Sequence, residues 1–170
     1  MPTYNVTDRR QTVLWDISRP AVPLGGGRAF APIHGTVATV GYGETRNFEV
    51  NSSFTGLFTE GLTACCAVCL ILFIDGRMHR VSMHHVPGGD PNRVNWGGLI
   101  ANMRTPMGSR AIKKIVVAWN EVPDLDLMTQ QAFARTSIPQ ANIYHYLGNA
   151  QTLEGITFAV QWPCYVGELR

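Results

Sequence analysis

The stretch from Thr59 to Pro87, T-E-G-L-T-A-C-C-A-V-C-L-I-L-F-I-D-G-R-M-H-R-V-S-M-H-H-V-P, constrains the fold more than any other part of the chain. An uncharged run from Cys66 to Ile74 is interrupted at Asp75-Gly76, and the chain returns through Arg77 to Val86. Asp-Gly between two such runs predicts a β-hairpin, because both central residues of a type I′ turn take φ > 0. A two-residue turn fixes pairing by counting outward: Ile74 with Arg77, Cys69 with Ser82, Ala67 with His84, Cys66 with His85. Opposed residues share a face, as do residues two apart on one strand. Cys65 and His84 are therefore expected as diagonal neighbours, about 7–8 Å apart at Cα and within reach of an imidazole. A register slipped by one residue would turn every side chain over and pair Cys66 with His85 instead. His79 falls opposite Leu72, too far up the ladder to meet either cysteine.

A thiol beside an imidazole is the minimum equipment for nucleophilic catalysis, since the base takes the thiol proton and the thiolate attacks. The same residues also occur as ordinary core, where buried free cysteines and hydrogen-bonded strand histidines are common. The four cysteines do not form a disulfide framework. Cys65 and Cys66 point to opposite faces, and Cys65 and Cys69 share a face but stand too far apart to bridge. Cys66-x-x-Cys69 has the spacing of a zinc knuckle, but Ala-Val in a strand pattern replaces the turn such a knuckle needs, so no metal is expected.

The segment Thr59-Glu-Gly-Leu-Thr-Ala-Cys65-Cys-Ala-Val resembles the T-x-G-L-G-S-C-V-A-V segment of the chemoreceptor glutamine deamidase CheD, with the threonine six residues before the cysteine in both. It is also similar to the L-S-G-C-T segment of the cytotoxic necrotizing factor catalytic domain and to the related Burkholderia lethal factor. In the necrotizing factor pattern an Asn-Gly turn follows the cysteine, and the return-strand histidine falls opposite the residue two after it. That is the register which sets His84 opposite Ala67. Thr63-Ala64 stands where those families carry Gly-Ser or Ser-Gly.

The resemblance implies an α+β protein, a layered α/β sandwich with mixed, largely antiparallel sheets and flanking helices. It implies a cysteine-dependent hydrolase that deamidates protein glutamine without a cofactor, with Cys65 as nucleophile, His84 as base and Thr59 orienting the imidazole or the substrate. Backbone N–H groups around Ala64 to Cys66 are the expected oxyanion donors. The partner is a protein presenting a glutamine. Asn120-Glu-Val-Pro in place of CheD's glycine-rich sequence, and the long segment before Thr59, point toward a bacterial toxin or effector acting on a host protein. A CheD-like chemoreceptor deamidase and a non-catalytic binding module on the same fold are the alternatives.

With 170 residues, 45% of them hydrophobic, one domain is expected over 1–170, with strands of an N-terminal extension (1–50) packed on it. A formal charge of +2, without basic clusters interleaved with aromatics, argues against nucleic-acid binding. No apolar run reaches the roughly 18–20 residues of a membrane span, and no apolar leader follows the charges at Asp8, Arg9 and Arg10. A soluble monomer is expected, with export or delivery by a route that uses no such leader left open.

Elsewhere the pattern predicts a strand over Thr12–Ile17, a loop at Gly25-Gly-Gly27, and a strand from His34 to Val40 whose hairpin partner is Arg46–Val50 across Gly41-Tyr-Gly43. A helix is expected over Asn95–Arg104, weakened by two glycines. Then come a strand over Ile112–Trp119, a helix capped by Asp124 and running to Arg135, a strand over Asn142–Leu147, a Gly148-Asn149 turn and a strand over Gly155–Trp162. The strand–helix–strand order makes a βαβ unit. His34 and His145 are expected to be structural, and Cys164 has no assigned partner.

Overall fold

The computed structural model describes residues 3–5, 13–17, 28–29, 37–51, 53–54, 56–120, 124–147, 157–161 and 164–167. Among them the strands are β1 (Thr3–Asn5), β2 (Val13–Asp16), β3 (Arg28–Ala29), β4 (Val37–Thr39), β5 (Thr45–Glu49), β6 (Gly56–Thr59), β7 (Cys66–Ile74), β8 (Arg77–Val86), β9 (Ala111–Trp119), β10 (Ile143–Leu147), β11 (Phe158–Gln161) and β12 (Tyr165–Gly167). The α-helices are α1 (Trp96–Ile100) and α2 (Leu125–Thr136). They build two six-stranded sheets, ordered β1-β10-β9-β7-β8-β5 and β3-β2-β12-β11-β6-β4. The protein is thus a mixed, strand-rich α/β structure with few helices. His34, the Gly25–Gly27 loop and the Gly148-Asn149 turn lie outside the described residues. No described helix is long and apolar enough to cross a membrane.

β7 explains the layering. Its side chains are apolar on both faces, so each face must be covered. Ala67, Cys69, Ile71 and Phe73 pack into a core between the sheets, with Leu57, Phe158, Val160 and Val166 from the second sheet. Cys66, Val68, Leu70 and Leu72 face the other way, against Leu99 and Met103 from and after α1 and Met128 and Ala132 of α2. Each fully buried Leu or Ile contributes about 1.5–3 kcal/mol. The result is three layers: helices, first sheet, second sheet.

The connections follow local chemistry. Asp75 (φ 51°) and Gly76 (φ 78°) are both left-handed, as a type I′ turn requires. Asp124 caps α2 by accepting from the Leu127 N–H at 2.8 Å, and the helix crosses between β9 and β10, which pair in parallel as a βαβ unit. α1 is shorter than the expected 95–104. Asn95 caps it through the Gly98 N–H at 3.0 Å, and a Cβ at position 98 would collide with that Asn95 side chain, so the cap requires a glycine that weakens the helix.

One expected hairpin does not form. β4 pairs with β6 in the second sheet, while β5 pairs with β8 in the first. The Gly41–Glu44 turn therefore carries the chain from one sheet to the other.

The central register also differs from simple counting. Pairing starts as expected with Ile74–Arg77 and Phe73–Met78, but the next pair is Leu72–Arg80, so His79 is a one-residue bulge rather than the partner of Leu72. Without the bulge, alternation from Met78 would point Arg80 and Ser82 between the sheets and turn Val81 and Met83 away. Burying an uncompensated guanidinium there costs several kcal/mol. With the bulge, Val81 and Met83 enter the inter-sheet core. Arg80 instead donates to the Asn102 and Arg104 carbonyls, each at 3.1 Å.

Candidate active site

The bulge decides which histidine meets Cys65. Beyond it the pairs are Val68–His84, Ala67–His85 and Cys66–Val86. The expected pairing of His84 with Ala67 is thus corrected by one residue: His85 faces the inter-sheet core with Ala67 and Cys65, and His84 shares the helix-side face with Val68 and Cys66. Cys65, one residue before β7, belongs to the inter-sheet core and is the diagonal neighbour of His85. The Cys66–His85 pair is not formed either, because the two lie on opposite faces.

Thr59 closes the arrangement from the second sheet. Its hydroxyl donates to the Val40 carbonyl at 2.8 Å, and its Oγ1 lies 2.8 Å from His85 Nδ1. With the hydroxyl hydrogen committed to Val40, Oγ1 can only accept from the ring, so Nδ1 carries the hydrogen and Nε2 presents a lone pair. Nε2 is buried and has no partner among the described residues. Burial lowers the His85 pKa from its ordinary 6.5, which favours the neutral ring at pH 7. A neutral imidazole with one nitrogen anchored and the other free is the form a general base takes. No hydrogen bond joins the Cys65 thiol to Nε2.

The crossover turn packs on this histidine. The Gly43 N–H donates to the His85 carbonyl and the His85 N–H to the Glu44 carbonyl, both at 3.1 Å. The Tyr42 ring lies 5.5 Å from the imidazole centroid, tilted by 55°. The segment from Val40 to Glu44 thus joins the sheets, supplies the carbonyl that orders Thr59 and covers the histidine.

His84 is occupied elsewhere. Its Nδ1 accepts the Asn95 N–H at 2.9 Å and its ring hydrogen-bonds to the Gly43 backbone. Its pKa is lowered chiefly by burial, with the Gly43 bond opposing and His85 adding to the effect. His84 ties the start of α1 to the sheet. His145 likewise accepts from Trp119 Nε1 at 3.2 Å, and burial pushes its pKa down to about 4, in keeping with a structural role.

Among the thiols, Cys65 retains 8% exposure while Cys66 has 0%. Burial, helped by the neighbouring Cys65, pushes the Cys66 thiol up to about 12, and complete burial raises Cys69 as well. A thiol so raised supplies no thiolate at neutral pH. Cys164 is buried in the same inter-sheet core, and its carbonyl accepts the Ile17 N–H at 3.1 Å.

The chain matches no protein-family model and no curated protein. Thr59 of β6 anchors His85 of β8, and Cys65, the residue before β7, lies on the same inter-sheet face. Among the described residues no three His, Cys, Asp or Glu side chains are grouped to hold a metal. A groove of about 640 Å³ lined by Leu125, Thr129, Phe133, Pro139 and Ile143 lies on the helix side of the first sheet, away from this centre.

Counting from the turn missed His85, yet the sequence carried its signal. Met78, Val81 and Met83 are apolar with a spacing of three and then two, and Arg80 stands where strict alternation would bury it. That pattern announces one extra residue between Met78 and Val81.

Proposed function

We propose that the protein is a cysteine-dependent hydrolase that deamidates a glutamine side chain of another protein, with Cys65 as nucleophile, His85 as general base and acid, and Thr59 as the residue that orients His85. The observation that carries this reading is the 2.8 Å Thr59–His85 bond, which leaves the Nε2 lone pair free on the face of Cys65. The likeness of Thr59 to Cys65 to the CheD segment supports it independently, since the hydroxyl that anchors the imidazole is the threonine that motif shares. The two-sheet sandwich with helices on one side is compatible with the CheD and necrotizing factor architecture.

In the reaction, His85 Nε2 takes the Cys65 proton and the thiolate attacks the carboxamide carbon, forming a tetrahedral oxyanion. His85 then gives that proton to the departing nitrogen, releasing ammonia and leaving a thioester. Water, deprotonated by the same Nε2, attacks the thioester, and the proton returns to the sulfur as the glutamate side chain leaves. Donors to the oxyanion are the backbone N–H groups around Ala64 to Cys66, each such group contributing about 3–4 kcal/mol.

The test incubates wild type and Cys65→Ala with two protein sources, a eukaryotic cell extract and a bacterial membrane fraction containing chemoreceptors, and follows glutamine-to-glutamate conversion by mass spectrometry. Conversion in the first, lost in Cys65→Ala, is expected for a toxin or effector; conversion in the second indicates a chemoreceptor deamidase. Conversion that survives in Cys65→Ala but fails in Cys66→Ala would assign the chemistry to the wrong thiol. A binding module would convert neither.

A further inference from the structure

We infer that Asn120 binds the carboxamide nitrogen of the substrate and selects an amide over a carboxylate; the inference rests on the deamidase reading of the same site. β9 flanks β7 on the side away from β8, and its ladder ends with Ala67–Ala118 and Cys66–Trp119. The ladder ends there, and its register continued by one step sets Asn120, the residue after β9, opposite Cys65, the residue before β7. Val116 and Ala118 belong to the inter-sheet core with Ala67 and Cys69, and strand alternation assigns Asn120 to that face. Cys65 therefore has His85 of β8 at one side and Asn120, just past the end of β9, at the other.

Asn120 is 8% exposed, and its Oδ1 is buried with no partner among the described residues. Buried amide oxygens are nearly always hydrogen-bonded, so an orphaned one beside a nucleophile calls for a donor from outside. The two orphaned atoms that flank Cys65 complement a carboxamide. His85 Nε2 is matched to the thiol proton. Asn120 Oδ1 is matched to an N–H of the carboxamide NH₂ group, leaving the carbonyl oxygen free for the backbone donors near Cys65. A primary carboxamide offers two N–H donors, whereas the carboxylate product offers only acceptors and would face Oδ1 oxygen to oxygen. Asn120 would thus hold glutamine, keep its bond to the departing nitrogen and disfavour retention of glutamate.

Alkylation of Cys65 tests this without a protein substrate, because iodoacetamide carries a carboxamide and iodoacetate a carboxylate. Second-order rate constants for the two reagents at Cys65, assigned by peptide mapping, are compared in wild type, Asn120→Ala and Asn120→Asp. The iodoacetamide-to-iodoacetate ratio is expected to fall about three- to tenfold in Asn120→Ala, the loss of one hydrogen bond. It is expected to hold or rise in Asn120→Asp, which still accepts and repels iodoacetate. An unchanged ratio in Asn120→Ala, or a ratio that falls in Asn120→Asp, would overturn the inference while leaving the deamidase reading intact. A ratio that rises in Asn120→Ala would mean the amide donates into the site, and overturns it too. Cys65 inert to both reagents in wild type would overturn the deamidase reading, and the role of Asn120 with it.

Discussion

Replacing Thr59 with valine removes one oxygen from a fully buried side chain and nothing else of comparable size. Two partners are then stranded: the Val40 carbonyl and His85 Nδ1–H, each of which had a 2.8 Å bond to that oxygen. Each buried polar group left unsatisfied costs about 1–3 kcal/mol and the added methyl recovers about 0.8 kcal/mol, so a net loss of about 1–5 kcal/mol of stability is expected. The effect on catalysis is larger and has a different cause. With no acceptor at Nδ1, the ring loses its preference for the Nδ1–H tautomer, and the Nε2–H form has no lone pair for the Cys65 proton. Loss of a positioned general base lowers kcat/KM by about 10²–10⁴-fold. Thr59→Ser keeps the oxygen and is expected to stay within about tenfold of wild type in kcat/KM. Urea unfolding measures the first effect, deamidation kinetics the second, and ¹⁵N NMR of the His85 ring reports the tautomer directly. A Thr59→Val protein with wild-type kcat/KM and an unchanged His85 tautomer would refute the role given to the hydroxyl.

Two further predictions separate the histidines and test the bulge. Because burial lowers the His85 pKa below 6.5, the acid limb of kcat/KM should fall below pH 6.5; His85→Gln should abolish activity, whereas His84→Gln should keep the limb in place and lose about 1–2 kcal/mol of stability with the Asn95 bond. The same sign governs folding: histidines whose folded pKa lies below the unfolded value contribute stability that is complete above about pH 6.5 and is lost as pH falls toward the His145 value of about 4, which pH-dependent urea midpoints would trace. Deleting His79 should remove the bulge and leave Leu72–Arg80 through Cys66–Val86 paired as before, so Cys65 alkylation and deamidation stay within about twofold, at a cost of about 1 kcal/mol for the Val50 N–H that His79 accepts. Deleting Ser82 instead shifts the residues after it by one, and should abolish activity by carrying His85 to the wrong face.

Features set by neighbouring residues could be read from the sequence. The Asp75-Gly76 turn, the Asp124 cap, the β9–α2–β10 unit and the double-sided burial of β7 each follow from a local pattern that the whole fold then satisfies. The destination of the chain after Gly41-Tyr42-Gly43 could not, because a turn signal marks where a strand stops and not which sheet receives the next one. Thr59 and Cys65 were visible as a motif, but their relation to Val40 and Asn120 depends on two sheets meeting and on a neighbouring ladder, which no spacing within the hairpin encodes.

The two histidines illustrate the boundary most clearly. Two adjacent histidines place one imidazole on each face of β8 in any register, so residue type alone cannot choose between His84 and His85. The choice is made upstream, where the cost of turning Arg80 into an apolar layer exceeds the cost of one unpaired residue at His79. A charge remote from the thiol thereby sets which ring reaches Thr59, and the free Nε2 follows from that one geometric consequence. If Arg80 were replaced by an apolar residue and His79 deleted together, the strand could alternate without strain in this same register. The double variant should then retain the His85–Thr59 bond, readable in the ring ¹⁵N shifts, even though the feature that selected it is gone.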